Sequence, residues 1–196
     1  MNILDINPTQ ILQQRIASAM GLDKYRYIMK TVREVDVREN EDFQHMFNGF
    51  YRVRRNEDWR KIYYQVFEEA KTTTPAFGDV LHRLYDATGN VEASFSSKMI
   101  ATLNPQMPIW DRYVIQSLGI EVPKYGEEKR LDIIIMMYDQ IVAWYKDFFQ
   151  SEKARECIMM FDGLLPDYQW ISDVKKIDFF IWSIRKKQSE EDYVKP

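Results

Sequence analysis

Apolar residues in this chain recur at every third or fourth position, and nowhere do they alternate over a length that would make a strand. Trp59, Ile62, Tyr63, Val66, Phe67 and Ala70 form one stripe. Leu131, Ile134, Ile135, Tyr138, Ile141, Val142, Tyr145, Phe148 and Phe149 form a longer one. A 3.6-residue period lays such side chains along one side of a helix, and segments of this kind bury that side only by packing on one another. The pattern predicts an all-α fold: a single globular multi-helix domain of roughly eight or nine helices. No repeat and no Pro/Gly/Ser-rich linker divides the chain, so one domain is expected over residues 1–187, followed by a frayed polar tail at 188–196.

Helix ends are marked by short polar and small residues. Asn7-Pro8 with Gln10 reads as a capping box, and Thr74-Pro75 repeats the cap before a helix whose apolar side is Phe77, Val80, Leu81, Leu84 and Tyr85. Gly89, Gly119 and Gly163 fall where left-handed C-terminal caps belong. Because Ile133, Met136, Met137 and Trp144 lie off the long stripe, the helix near residues 131–149 is expected to be the central, most buried one. Trp170, Val174, Ile177, Ile181 and Ile184 predict a last helix ending in Arg185-Lys186-Lys187, where cations suit the helix dipole. Asp132 and Asp139 read as a solvated strip, and Asp173 and Asp178 around Lys175 and Lys176 read as a solvated face.

Bulk properties exclude several classes. With 196 residues, a net charge of −3 and a pI near 5.5, the chain is not held to nucleic acid by overall charge, although a local basic patch remains open to it. Its one cysteine, Cys157, excludes an intrachain disulfide and a multi-cysteine metal cluster, and its neighbours Ile158, Met159 and Met160 suit a buried thiol. His45 and His82 have no ligand-spaced partner on their own helices, so no metal site and no cofactor are expected. No Walker, dinucleotide or serine-hydrolase motif occurs. The longest apolar run, Ile133 to Tyr138, is far too short to span a bilayer, and the first residues do not read as a signal peptide. The expectation is a soluble cytoplasmic protein with no membrane partner.

Two stretches carry candidate chemistry. FNGFYRVRRNEDWRK holds Arg52, Arg54, Arg55, Arg60 and Lys61 among Phe50, Tyr51 and Trp59. Cations interleaved with aromatics can neutralise phosphates and stack on bases, which makes these five residues candidates for nucleic-acid binding. Glu57 and Asp58 within the stretch equally suit the cap and first turn of a helix, and the arginines equally suit salt bridges. The second stretch, SFSSKMIATLNPQMPIWDRYV, reads as two short helices joined by a proline-flanked turn, with Lys98 before it and Asp111 after it. Each charge lies at the edge of an apolar side, so the two can face one cleft or tie the helices together as an ion pair.

Ser94-Phe95-Ser96-Ser97-Lys98, followed by Pro108-Ile109-Trp110-Asp111-Arg112-Tyr113-Val114 and Leu118-Gly119, resembles the core of the helix-hairpin-helix DNA glycosylase superfamily over residues 77–119. There a Gly-X-Gly-X-Lys hairpin precedes the catalytic Asp, a Val and a Leu-Gly pair. The resemblance implies an active site between two helical layers and duplex DNA as partner. It implies Lys98 in the place of the lysine that forms a Schiff base in bifunctional members, and Asp111 in the place of the catalytic carboxylate. Here serines stand where that hairpin has glycines, and Trp110 is an extra residue before the Asp. Three classes follow: a DNA-binding base-excision protein of this kind, active or degenerate; a non-catalytic helical protein-interaction module in which Lys98 and Asp111 are a structural ion pair; and an enzyme of another class.

Overall fold

The computed structural model describes residues 21–73, 75–123 and 129–191, with the backbone alone at 113, 117 and 184–191. The expected box at Asn7, Pro8 and Gln10, the Thr74 cap and the tail beyond residue 191 lie outside these. The described residues form nine α-helices and no strand. In order they are α1 (Leu22–Thr31), α2 (Glu41–Tyr51), α3 (Glu57–Thr73), α4 (Phe77–Thr88), α5 (Ala93–Leu103), α6 (Arg112–Ser117), α7 (Arg130–Phe148), α8 (Glu152–Leu164) and α9 (Asp173–Glu191). One 3₁₀ turn, Pro166–Tyr168, precedes α9. The fold is all-α, and no described helix is long and apolar enough to cross a membrane.

Local chemistry sets the boundaries. Asn40 opens α2 by accepting from the Phe43 N–H at 2.8 Å, Asn56 opens α3 by accepting from Trp59 at 3.0 Å, and Ser151 opens α8 by accepting from Ala154 at 3.1 Å. The cap of α3 is thus Asn56, with Glu57 and Asp58 both in the first turn. Gly89 ends α4 at φ +68°, a conformation that costs other residues energy, and only Asn90, Val91 and Glu92 separate it from α5. Gly163 does not cap; it lies inside α8, whose last turn is closed by the Leu165 N–H bonding Phe161.

Two apolar cores lie side by side. One gathers α7, α8 and α9 with α6, Leu22 and Tyr25 of α1, and Phe77 and Leu81 of α4. The other gathers α2, α3 and α5 with Ile28 of α1 and Val80 and Leu84 of α4. Phe50, Met107 and Trp182 pack against both, so they lie along the seam.

The centre of the molecule is not where the stripe pattern puts it. α7 buries a single row, Ile134, Tyr138, Ile141, Tyr145 and Phe148, while Met136 is 55% exposed. Residues 174–181 of α9 are instead buried on every side, Lys175, Lys176 and Asp178 included. The solvated face expected around Lys175 and Asp178 therefore does not exist: α8 covers one side of this helix, α6 another, and the aromatic seam the rest. Asp132 and Asp139 do lie in a solvated strip, on α7.

Candidate functional site

α5 carries the residues that matter most. Eight of its eleven residues are buried, among them Ser96, Ser97 and Thr102. Their hydroxyls are satisfied within the helix: Ser96 donates to the Glu92 carbonyl at 3.0 Å, Ser97 to Ser94 at 2.9 Å, and Thr102 to Lys98 at 2.8 Å. The whole Ser94–Lys98 stretch is helical, and the Phe95 and Ser96 N–H groups bond the Glu92 carbonyl. The tight turn lies earlier, at Gly89 to Glu92, between α4 and α5.

Lys98 leaves α5 at the half-buried edge of this helix. Its ammonium donates to the Tyr51 carbonyl at 3.2 Å, one of the acceptors left open at the end of α2, where a cation also suits the helix dipole. The same nitrogen lies 4.7 Å from the centre of the Phe95 ring. Asp111 is half-buried just before α6 and accepts the Ile115 N–H through its carbonyl. A buried bond links their positions: the Trp110 N–H donates to Ser97 Oγ at 2.8 Å. The residues directly before Lys98 and Asp111 therefore touch.

The basic stretch divides in two. Arg55 Nη2 bonds both carboxylate oxygens of Glu92 at 2.8 Å, and its guanidinium lies 5.4 Å from the ring centres of both Trp59 and Phe95. Trp59 Nε1 donates to the same carboxylate at 3.0 Å. Glu92 is 4% exposed, while the Arg55 side chain is 41% exposed. Arg52 follows Tyr51 in a left-handed conformation, and Arg52 and Arg54 are both exposed beside this cluster. Arg60 and Lys61 belong elsewhere. Arg60 is half-buried in α3 near Tyr64, and Lys61 is paired with Glu57 at 2.9 Å one turn earlier. Sequence reasoning chose Arg55 and Lys98 for separate reasons; the fold brings both over Phe95. It missed Phe95 and Glu92 as parts of the site, because a half-buried aromatic and an acid before a helix carry no distinctive spacing.

A second polar group lies at the seam of the two cores. Lys175 and Asp178, both fully buried, pair at 2.8 Å, and Tyr145 donates to the other Asp178 oxygen at 2.6 Å. The Lys175 ammonium also lies 5.4–5.9 Å from the ring centres of Trp182, Tyr25 and Tyr51. Burial raises the Asp178 carboxyl above its ordinary range, with the negative charge of Asp111 adding to the effect and Lys175 and Tyr145 opposing it. Burial and then the Asp178 charge hold the Tyr145 phenol far above its ordinary value, so it stays a donor. No sequence signal marks this group: on a helical wheel Lys175 and Asp178 fall together in the gap between Val174 and Phe179, where a solvated pair would also lie.

The two histidines are exposed, on α2 and α4, and no group of three metal-ligating residues occurs among the described residues. His82 lines a shallow cleft with Thr73, Pro75, Ala76, Asp79 and Arg83. Cys157 is buried, its thiol pushed up to about 12 by burial. No family model matches this chain, and no curated protein or solved structure matches it either.

Proposed function

We propose that the chain binds duplex DNA through the surface around Phe95, and that Lys98 and Asp111 act there as the catalytic pair of a base-excision enzyme resembling helix-hairpin-helix DNA glycosylases. The observation that carries the reading is the convergence of Arg55 and Lys98 over one half-buried ring, with Arg52 and Arg54 exposed alongside. Cations beside an aromatic face suit a strand, whose phosphates need charge and whose bases stack on any π-surface. The Ser97–Trp110 bond supports the catalytic part, since it keeps the backbones that carry Lys98 and Asp111 together.

In this reading a deprotonated Lys98 amine bonds C1′ of the deoxyribose as the glycosidic bond breaks and the base leaves with that bond's electron pair. The Asp111 carboxylate takes the proton shed by the attacking nitrogen and passes it on to the departing base. At an abasic site the amine condenses with the open aldehyde, releasing water and leaving an imine. Borohydride reduces that imine to a stable crosslink. Trapping on an abasic duplex, lost in Lys98→Ala with the fold intact, is the expected outcome. Absence of trapping by a protein that binds the duplex removes the catalytic part.

A second reading has its own observation. The bond from Lys98 to Tyr51 and its place over Phe95 give the lysine a structural use, fastening α5 to the end of α2. A non-catalytic helical protein-interaction module would need no more. Lys98→Ala then lowers the melting temperature and changes nothing in DNA binding.

A further inference from the structure

We propose that Glu92 is the positioning residue of this surface: it sets the Arg55 guanidinium above Phe95, so that the arginine's remaining N–H groups meet a strand phosphate next to Lys98. The inference rests on the DNA-binding reading and names a residue and a contact that the reading alone does not supply.

The asymmetry of the pair is its basis. A structural tie buries both partners, whereas here the acid is 4% exposed and the base 41% exposed. The carboxylate accepts three hydrogen bonds from two donors, two from Arg55 Nη2 and one from Trp59 Nε1, so it is held whether or not a ligand is present. Nη2 supplies both bonds of the guanidinium. Its Nε and Nη1 groups make no hydrogen bond among the described residues. An arginine that has already lost its rotamer freedom gives up little more when a phosphate arrives. Glu92 immediately precedes α5, and Phe95 lies within the first turn of that helix. The anchor, the ring and Lys98 therefore share one rigid element. Because the Glu92 charge offsets that of Arg55, its value here is orientation rather than added attraction.

Two measurements on the full chain test this. Side-chain relaxation of the Arg55 Nε–H group in DNA-free protein reads positioning without any ligand. A rigid group in the wild type that becomes mobile in Glu92→Gln is expected, and a mobile group in the wild type overturns the inference. Titration with a 20-base-pair duplex then reads its consequence. Glu92→Gln is expected to weaken binding about three- to tenfold, and Arg55→Ala to weaken it and reduce the salt slope by about one. In the double variant the Glu92 change adds no further loss. Losses that multiply contradict the proposal. Arg55→Lys keeps the charge without the planar fork and guards against a Glu92 variant that fails to fold. It is expected to lose affinity at an unchanged salt slope, and wild-type affinity in it contradicts the proposal. A rigid Arg55 in a wild-type protein that binds no duplex refutes the DNA-binding reading and leaves Glu92 as a structural tie.

Discussion

Lys175 and Asp178 are the residues whose positions say most about the energetics. A fully buried ion pair is costly to desolvate, and it is retained here by close geometry, by the Tyr145 hydroxyl and by three aromatic rings around the ammonium. Lys175→Met leaves Asp178 charged and uncompensated, and is expected to cost on the order of 3–5 kcal/mol in urea unfolding. Lys175→Met with Asp178→Leu is expected to recover most of that loss. Linkage gives the pH dependence its sign. The Asp178 carboxyl is raised above its ordinary value of 3.8, so between the two values the native state holds more protons than the unfolded chain. Its contribution is fully present below pH 3.8 and is lost as pH rises through the raised native value; Asp178→Asn removes that slope from a series of unfolding curves. Cys157, buried and pushed up to about 12, is expected to resist alkylation in native protein at pH 8 and to react at once in denaturant. The cysteine was legible from its apolar neighbours. The ion pair was not, because a Lys-Asp spacing of three is the same on a solvated helix and on one surrounded by other helices.

Among the elements, α5 is the one on which the site depends. Its serines explain how a helix can be buried without being apolar. Each hydroxyl returns to a carbonyl one turn back, and Ser97 also accepts the Trp110 N–H. Ser97→Ala leaves that buried N–H without an acceptor and is expected to destabilise by about 1–3 kcal/mol. If the Ser97–Trp110 bond also holds Lys98 near Asp111, imine trapping on an abasic duplex falls more than stability does, measured below the melting transition. Equal trapping in the variant separates the bond from catalysis. Helix existence was readable from apolar spacing, and several ends from Asn and Gly. Relative burial was not: α7 has the longer apolar run, yet its extra methionine and tryptophan are only partly covered. Coverage is decided by which helices fold over it, and no local pattern records that.

For the whole molecule, the arrangement is two cores joined along a seam, with the Phe95 surface at the edge of the second core and the buried charges between them. A net charge of −3 means that any attraction for DNA is local. The fold class was legible in the sequence because every segment obeys one period. The convergence of Arg55 and Lys98 was not, because it depends on how α3 and α5 meet. Three cations, Arg52, Arg54 and Arg55, predict a plot of log affinity against log salt with a slope of about −2.7. Arg54→Glu, an exposed change, is expected to flatten it by about one unit or more without moving the melting temperature. The most direct test is equilibrium binding of the wild-type chain to a duplex, with and without an abasic site, from about 20 to 200 mM salt. Salt-dependent binding, tighter to the abasic duplex and weakened by Arg54→Glu, is the expected result. No binding at the lowest salt contradicts the DNA-binding reading.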